Sequence, residues 1–153
     1  MGNKLNKLLF YLASLGPLGF SPLAPGTIGS LFTIVLLAIY PLYFWDKVIL
    51  GIIIFIGGSY LSTQIEKKQT QKDPSFIIID EVGGQLITFL WIDKLNIWIL
   101  ILGFIIFRFL DIFKPWPICE AEKLPRGVGI MADDYLAGFI GSIILWGINF
   151  YLQ

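Results

Sequence analysis

The residues most able to do chemistry are five acids, each within or beside a long apolar stretch. They are Asp80, Glu81, Asp111, Asp133 and Asp134. Carboxylates among apolar neighbours are costly unless a cation or a metal ion stabilises them. Their hard oxygen atoms suit Mg²⁺, and a chain with no histidine and one cysteine disfavours an imidazole or thiolate zinc site. The acids therefore predict a cation site of the magnesium type.

Basic residues accompany one of these acids. Arg108, Asp111 and Lys114 are spaced i, i+3, i+6, which would place Asp111 beside both cations on one helix face. Such a row of charges suits a phosphate and its metal ion. Long side chains that reach the membrane surface from the end of a span are the alternative interpretation.

A turn rich in glycine and proline, residues 19–30, precedes an apolar helix. Backbone N–H groups at the start of such a helix can cradle a phosphate, with Gly26 allowing close approach. The hydroxyl of Thr27 or Ser30 can donate a hydrogen bond or cap the helix. A capped turn that simply leads into a membrane span explains the segment equally well.

The two acidic pairs have different surroundings. Asp80 and Glu81 follow three isoleucines, so at least one must lie in or beside the apolar bundle, although acids at a helix start are also favoured by the helix dipole. Asp133 and Asp134 are expected at the mouth of the last apolar helix. The small residues that follow them predict close approach of a neighbouring helix, which would bring distant carboxylates together. These small residues are Ala137, Gly138, Gly141 and Ser142.

Composition places these residues in a membrane protein of one domain, residues 1–153. The chain is 56% hydrophobic and only 14% charged, with a mean hydropathy of +0.78, values that a water-soluble surface does not carry. Eleven basic and eleven acidic residues cancel, and no Lys/Arg-rich stripe interleaved with aromatic residues is present. A nucleic-acid partner is therefore not expected.

Apolar stretches predict the helices that position the acids. Residues 30–45 and 48–62 are expected to form a hairpin of two short spans joined by Asp46 and Lys47. Further apolar stretches cover residues 76–92, 95–113 and 135–152, and Pro115 and Pro117 should end the fourth one. An N-terminal amphipathic helix should lie at the membrane surface, with Lys4 and Lys7 at the lipid headgroups.

Positive charges predict the orientation. If the stretches alternate in direction, most lysines and arginines fall on one side, which the positive-inside rule assigns to the cytoplasm. Only Lys47 and Lys94 fall on the other side, each beside a neighbouring aspartate. The cytoplasmic segments are then residues 1–29, 63–81 and 111–134, which contain the candidate chemistry.

The residue types also limit the reaction. The absence of histidine excludes phosphohistidine and histidine-acid mechanisms, and Arg126 lies one residue too far from Cys119 for a cysteine-dependent phosphate loop. Metal-assisted hydrolysis of a phosphate ester by an activated water is then the favoured chemistry. Buried carboxylates in a membrane protein are equally typical of a divalent-cation or proton transporter, which is the alternative function.

Four motifs together resemble the phosphatidylglycerophosphatase A family. They are Ser21-Pro-x-x-Pro-Gly-Thr-x-Gly-Ser30, Asp80-Glu81-x-x-Gly84, Phe107-Arg-x-x-Asp-x-x-Lys-Pro-Trp-Pro-Ile118 and Gly129-Ile-Met-x-Asp-Asp-x-x-Ala-Gly138. The resemblance implies a Mg²⁺-dependent enzyme of the bacterial cytoplasmic (inner) membrane, with its active site facing the cytoplasm. The implied reaction converts phosphatidylglycerophosphate to phosphatidylglycerol and phosphate. The implied fold is an all-α, compact, membrane-embedded bundle of four to five apolar helices plus the N-terminal interfacial helix.

The resemblance also implies roles for the candidate residues. The expected metal ligands are drawn from the five acids, with Glu81, Asp133 and Asp134 favoured, and Asp80 or Asp111 would orient or deprotonate the attacking water. The expected phosphate-binding residues are Arg108, Lys114, Gly26, Thr27 and Ser30.

Overall fold

The computed structural model describes residues 2–22, 24–68 and 74–151, and from residue 7 onward it also describes their side chains. Every regular element in these ranges is helical, which confirms the predicted all-α class. The helices are α1 (Gly2–Ala13), α2 (Pro25–Ile39), α3 (Phe44–Glu66), α4 (Ile79–Thr88), α5 (Ile97–Phe113), α6 (Ile118–Ala121) and α7 (Gly127–Tyr151). A 3₁₀ turn, Leu18–Phe20, separates α1 from α2.

Two helices, α3 and α7, are long and apolar enough to cross a membrane. They contain 23 and 25 residues, and a hydrocarbon core about 30 Å thick needs about 20 residues at 1.5 Å each. Helices α2 and α5 contain 15 and 17 residues, which makes both of them short for a complete span. The expected number of four to five spanning helices is therefore not confirmed.

The surface of α3 shows why an apolar environment is required. Only 28% of its most apolar stretch is buried inside the protein, so α3 is not the core helix of a water-soluble bundle. Its outward residues Ile49, Ile53 and Ile56 are all more than half exposed. A continuous apolar surface of this kind is typical of a face turned toward lipid.

Exposed aromatic residues mark one end of the bundle, which is called the aromatic end below. Tyr43 and Trp45 lie at the start of α3, Trp98 at the start of α5 and Tyr151 at the end of α7, and each is well exposed. Tryptophan and tyrosine concentrate where a membrane meets water. Tyr151 is 17 residues beyond Asp134 on α7, about 26 Å along the helix, so the acids lie near the other interface.

The turn between the first two apolar stretches is not at Asp46 and Lys47, so its predicted position is wrong. Both residues belong to the first turns of α3, because that helix starts at Phe44. The Lys47 side chain is fully buried and its ammonium donates to the carbonyl oxygens of Phe89 at 2.9 Å and Ile92 at 2.7 Å. It pairs with Asp93 at 3.3 Å rather than with its sequence neighbour. Lys47 therefore connects the start of α3 to carbonyl groups just beyond α4.

The expected position of Asp133 and Asp134 at the mouth of the last helix is also wrong. Helix α7 starts at Gly127, so both acids lie in its second turn. The backbone N–H of Gly127 donates to Thr63 Oγ1 at 3.2 Å, and a Cβ at Gly127 would overlap the α3 backbone. Polar and glycine residues therefore extend the helix beyond the apolar stretch that hydropathy detects.

Helices α4 and α7 cross with almost no space between their backbones. A Cβ at Gly138 would overlap the carbonyl oxygen of Gly84, and a Cβ at Gly84 would contact the carbonyl oxygen of Asp134 at 2.5 Å. Ala137 and Gly141 are buried beside this crossing. The predicted close approach at small residues is confirmed, and it brings the start of α4 against the acids of α7.

This crossing predicts the effect of Gly138→Ala. The added methyl group would overlap a backbone atom that cannot move away by changing rotamer, so we expect the free energy of unfolding to fall by about 1–3 kcal/mol. Denaturant titration in detergent micelles measures this change. Gly147→Ala is the matched control, because its Cβ would meet nothing within 4 Å and alanine favours a helix. Equal destabilisation by both substitutions would contradict this description of the crossing.

Candidate active site

Four elements meet at the end of the bundle opposite the aromatic end. They are the start of α2, the start of α4, the end of α5 and the second turn of α7. The segment before α4 is also fixed here, because Ile78 donates its backbone N–H to the carbonyl of Ala13 at 3.0 Å. The segments that carry the candidate chemistry are therefore gathered at one end of the fold.

Three carboxylates form a compact cluster, called the acidic cluster below. Asp80, Glu81 and Asp134 each offer an oxygen atom, and these three atoms lie within 4.8 Å of one another. Asp80 and Asp134 are buried, with 6% and 4% of their surfaces exposed. Three negative charges this close in a desolvated place repel one another unless a cation or protons compensate them. Oxygen ligands in this arrangement suit a hard divalent cation.

Two oxygen atoms of the acidic cluster are buried without a donor. Glu81 Oε2 and Asp134 Oδ2 have no hydrogen-bond partner among the residues that the structure describes. Buried carboxylate oxygens normally accept hydrogen bonds, because an unsatisfied one loses its hydration without replacement. A metal ion would supply the missing interaction, so the residues present fit a divalent cation.

The pKa of Glu81 reflects the same excess of negative charge in the acidic cluster. The pKa of its carboxyl group is raised to about 8, mainly by burial and also by the nearby charges of Asp134 and Asp111, while hydrogen bonding with Asp80 opposes the rise. A bound cation would favour the charged form and reverse this shift. Glu81 is thus a carboxyl group whose charge depends on a positive partner.

Gly26 brings the start of α2 against this cluster. A Cβ at Gly26 would overlap Glu81 Oε1 and lie 3.3 Å from Arg108 Nη1. Only glycine leaves enough space for the α2 backbone, the carboxylate and the guanidinium to meet here. Ala24, which directly precedes α2, has a left-handed backbone (φ 42°), and no side chain among the described residues caps this helix.

The two hydroxyl residues of this turn have different surroundings. Ser30 is fully buried and donates its hydroxyl to the Gly26 carbonyl oxygen at 3.0 Å, inside α2. Thr27 is half-buried in the first turn, where its backbone N–H donates to Ala24 at 2.9 Å. The expectation that either hydroxyl caps α2 is therefore wrong.

Arg108 combines an ion pair with an unsatisfied donor. Its Nη1 lies 2.5 Å from Asp111 Oδ2, which confirms that part of the predicted row. Its Nε atom is buried and has no acceptor within the described part of the chain. A buried guanidinium N–H without an acceptor is as costly as a carboxylate without a donor, and an anion such as phosphate would satisfy it.

Lys114 does not complete the row as predicted. Helix α5 ends at Phe113 and Lys114 takes a left-handed backbone conformation (φ 42°), so its ammonium pairs with Asp133 Oδ2 at 2.5 Å and with Glu122 Oε2 at 3.5 Å. Burial lowers the pKa of Lys114, but the hydrogen bond and charge of Asp133 outweigh burial and raise it above its usual value. Lys114 therefore stays positively charged beside the acidic cluster.

The five predicted acids thus divide into two groups. Asp80, Glu81 and Asp134 form the acidic cluster, whereas Asp111 and Asp133 each pair with a basic residue. Asp111 remains near the cluster, since its charge acts on Glu81. The structure therefore offers three carboxylates for a cation and two ion pairs around them.

Gln85 is a further polar residue that the sequence interpretation did not assign to the site. It lies on α4 one turn after Glu81, is fully buried, and neither of its amide atoms has a partner among the described residues. The available signal was the spacing of four residues from Glu81 within an apolar stretch. Its unsatisfied amide extends the polar site one turn into the bundle.

Comparison with known proteins agrees with the site. The family profile described as Phosphatidylglycerophosphatase A matches residues 11–149. A protein of Escherichia coli named Phosphatidylglycerophosphatase A is 39% identical over 136 residues, covering 86% of this chain and 77% of that protein. A protein of the same name from Haemophilus influenzae is 35% identical over 132 residues, covering 84% and 81%.

A third relative has a different name. A Bacteroides thetaiotaomicron protein, provisionally named a phosphatidylinositol-3-phosphatase, is 34% identical over 140 residues and covers 83% of this chain and 84% of its own length. No solved structure matches the chain. The three relatives are thus all named for removal of phosphate from a membrane lipid.

The acidic cluster predicts a pH-dependent affinity for divalent cations. A cation must displace the proton from Glu81, whose pKa is raised to about 8, so we expect affinity for Mg²⁺ or Mn²⁺ to rise roughly tenfold or more from pH 6 to pH 8. Titration calorimetry in buffers of different ionisation enthalpy measures both the affinity and the proton release. Glu120→Gln, which changes an exposed acid, is the control, and Glu81→Gln should weaken binding and remove most of the pH dependence. A pH-independent affinity in the unaltered protein would contradict the assignment.

Proposed function

The chain belongs to the phosphatidylglycerophosphatase A family, and from this membership and the site geometry we propose that it hydrolyses phosphatidylglycerophosphate to phosphatidylglycerol and phosphate. In this reaction a water oxygen bonds to phosphorus, the bond from phosphorus to the glycerol oxygen breaks, and that oxygen gains a proton. The names of the relatives from Escherichia coli and Haemophilus influenzae support this substrate. The two apolar helices support a reaction at a membrane.

One observation carries the proposal. Within the described part of the chain, buried carboxylate oxygens without a donor lie near a buried guanidinium N–H without an acceptor, and the side chains of Glu81 and Arg108 both adjoin Gly26. The first group calls for a cation and the second for an anion. A phosphomonoester accompanied by a metal ion supplies both at once.

Mg²⁺ is the proposed metal, held by Asp80, Glu81 and Asp134. The support is the hard oxygen ligand set and the unsatisfied oxygens of Glu81 and Asp134. When bound, Mg²⁺ supplies a Lewis acid that polarises the phosphoryl group and lowers the pKa of a water molecule. The proposed role of Gln85, buried one turn below, is to bind a water molecule next to the acidic cluster through its unsatisfied amide.

The basic residues neutralise the phosphate. Arg108 is held by Asp111 and still has its Nε–H for a phosphate oxygen. Lys114 is held by Asp133 and remains charged, so it neutralises charge on the phosphate and the negative charge that develops on the departing glycerol oxygen. At the start of α2, the backbone N–H of Gly26 and the hydroxyl of Thr27 are the proposed donors to the phosphate, and Ser30 supports this turn through its hydrogen bond to the Gly26 carbonyl oxygen.

Asp111 is the proposed base. It lies outside the acidic cluster, yet its charge reaches Glu81, and its carboxylate oxygen Oδ2 lies 2.5 Å from Arg108 Nη1. A charged carboxylate next to the bound phosphate can orient the attacking water and accept its proton. Asp80 is then left as a metal ligand.

The proposed location is the bacterial inner membrane, with the site facing the cytoplasm. The exposed lysines and arginine at the site end are Lys67, Lys68, Lys123 and Arg126. At the aromatic end, Lys47 is buried in an ion pair and Lys94 is exposed. This excess of positive charge at the site end supports a cytoplasmic orientation.

Glu81→Ala and Asp134→Ala should each abolish phosphate release. Each substitution removes one of three ligands from the cluster, so we expect kcat to fall at least about a thousandfold while the helix content is retained. The assay is phosphate release from phosphatidylglycerophosphate in mixed micelles containing Mg²⁺. Glu120→Gln should retain full activity.

Near-normal turnover in both alanine variants would overturn the proposed function. A liposome flux assay on the same preparations distinguishes a phosphatase from a transporter. A cation or proton transporter would move ions across the liposome membrane without releasing phosphate. Phosphatidylinositol 3-phosphate in a parallel assay shows which lipid headgroup is preferred, since one relative is named for that substrate.

Lys114→Ala should lower kcat about a hundredfold or more, because it removes a positive charge that stabilises the phosphate and the departing glycerol oxygen in the transition state. Lys123→Ala is the matched control, since Lys123 is exposed and pairs with Glu120 away from the acidic cluster. Rescue of Lys114→Ala by Lys114→Arg would support a charge role. An unchanged kcat in Lys114→Ala would contradict it.

A further inference from the structure

An apolar groove of about 400 Å³ runs between α2, α3 and α4. Its walls include Phe32 and Leu36 on α2, Leu50 and Ile54 on α3, and Val82 and Leu86 on α4. The volume is within the roughly 300–1,000 Å³ of pockets that bind small ligands. The groove is therefore large enough to bind a ligand, and it is too large to be a packing defect.

The groove begins next to the acidic cluster. Ile79, at its upper end, directly precedes Asp80, and Ile79, Val82 and Leu86 form one face of α4 at helical spacing. On α2, Gly26 and Gly29 contact Glu81 and Ile78, and the next turns of the same helix line the groove. The two helices that build the site thus also build the groove.

The groove leads from the site toward the aromatic end. Its lining extends along α2 from Phe32 to Tyr40, which directly follows the helix. This separation of eight residues corresponds to about 12 Å along the helix axis. Tyr40 is 68% exposed and Leu36 41% exposed, so the groove opens on the apolar outer surface of the bundle. An elongated molecule could therefore enter it from the hydrocarbon side.

The chemistry of the walls selects an apolar occupant. Thr33 is the polar residue in the middle of the groove, and its hydroxyl lies 3.3 Å from the Gly29 carbonyl oxygen and 3.4 Å from that of Val82. This hydroxyl has backbone acceptors, and the Tyr40 hydroxyl lies at the far end. An occupant therefore meets aliphatic and aromatic surface along the length of the groove.

We propose that this groove binds one acyl chain of the phospholipid substrate, so that the phosphate reaches the acidic cluster while the chain lies between α2, α3 and α4. The proposal rests on the proposed lipid phosphatase function. It explains why an apolar groove is continuous with a site for a highly charged headgroup. It also makes acyl-chain binding part of substrate recognition.

Leu36→Trp tests the groove, and Leu31→Trp is the matched control. Both leucines lie on α2 with similar exposure, 41% and 45%, but only Leu36 lines the groove. Filling the groove should raise KM for long-chain phosphatidylglycerophosphate roughly fivefold, about the effect of losing the burial of a methylene group or two. The kcat should stay within about twofold, because chain binding is the same in ground state and transition state.

A substrate with very short acyl chains separates the groove from the catalytic centre. For this substrate, Leu36→Trp and Leu31→Trp should have the same KM, because a very short chain does not extend along the groove as far as Leu36. An equal rise in KM for short and long chains would overturn the proposal, since the effect would then arise at the headgroup site. An equal KM for the two variants with the long-chain lipid would also overturn it.

Photo-crosslinking provides a readout that does not depend on turnover. Phosphatidylglycerol with a diazirine in one acyl chain, in vesicles with the intact protein, should label groove residues such as Leu50 and Ile54, and Leu36→Trp should reduce this labelling. Labelling confined to the separate cavity between α3 and α7, lined by Ile52, Phe55 and Phe139, would overturn the proposal. Groove labelling without any phosphate release by the unaltered protein would instead show that the proposed function is wrong.

Discussion

The repulsion among three buried carboxylates is the interaction on which the rest of the site depends. Asp80, Glu81 and Asp134 come from two helices whose backbones meet at Gly84 and Gly138. Without this close crossing, the acids would lie farther apart and in contact with water. Because the helices cross closely, the three carboxylates lie together, and their negative charge must be balanced by protons or a cation. The crossing therefore creates an acidic cluster that fits a divalent cation.

Ion pairs around the acidic cluster control which charges remain available. Asp111 holds Arg108 and Asp133 holds Lys114, so each basic side chain is fixed at the edge of the cluster. These pairs keep the cations from neutralising the cluster itself, which leaves room for a metal ion. At the opposite end, buried Lys47 holds the segment after α4 through backbone carbonyls. Short helix α4, which carries two of the three acids, is thus fixed at both of its ends.

Much of the fold and the gathering of the acids could be predicted from sequence, whereas the pairing of individual charges could not. Pro115 and the small residues of α7 are local signals, and the structure agrees with both of them. The apolar stretches locate the helices, but they do not predict their bounds or the number long enough to span a membrane. Asp133 and Asp134 were both predicted metal ligands, but successive helix residues point about 100° apart, and only Asp134 joins the cluster. The left-handed turn at Lys114 and the burial of Lys47 depend on tertiary partners, which hydropathy does not detect.

In the proposed reaction, the acidic cluster binds a divalent cation that contacts the substrate phosphate. Electron–nuclear double resonance on Mn²⁺-loaded protein with a non-hydrolysable phosphonate analogue of the lipid tests this most directly. The account predicts a phosphorus hyperfine coupling typical of a phosphonate oxygen bound to the metal, and loss of this signal in Asp134→Asn. Bound Mn²⁺ with no phosphorus coupling, or a coupling unchanged by that substitution, would contradict it.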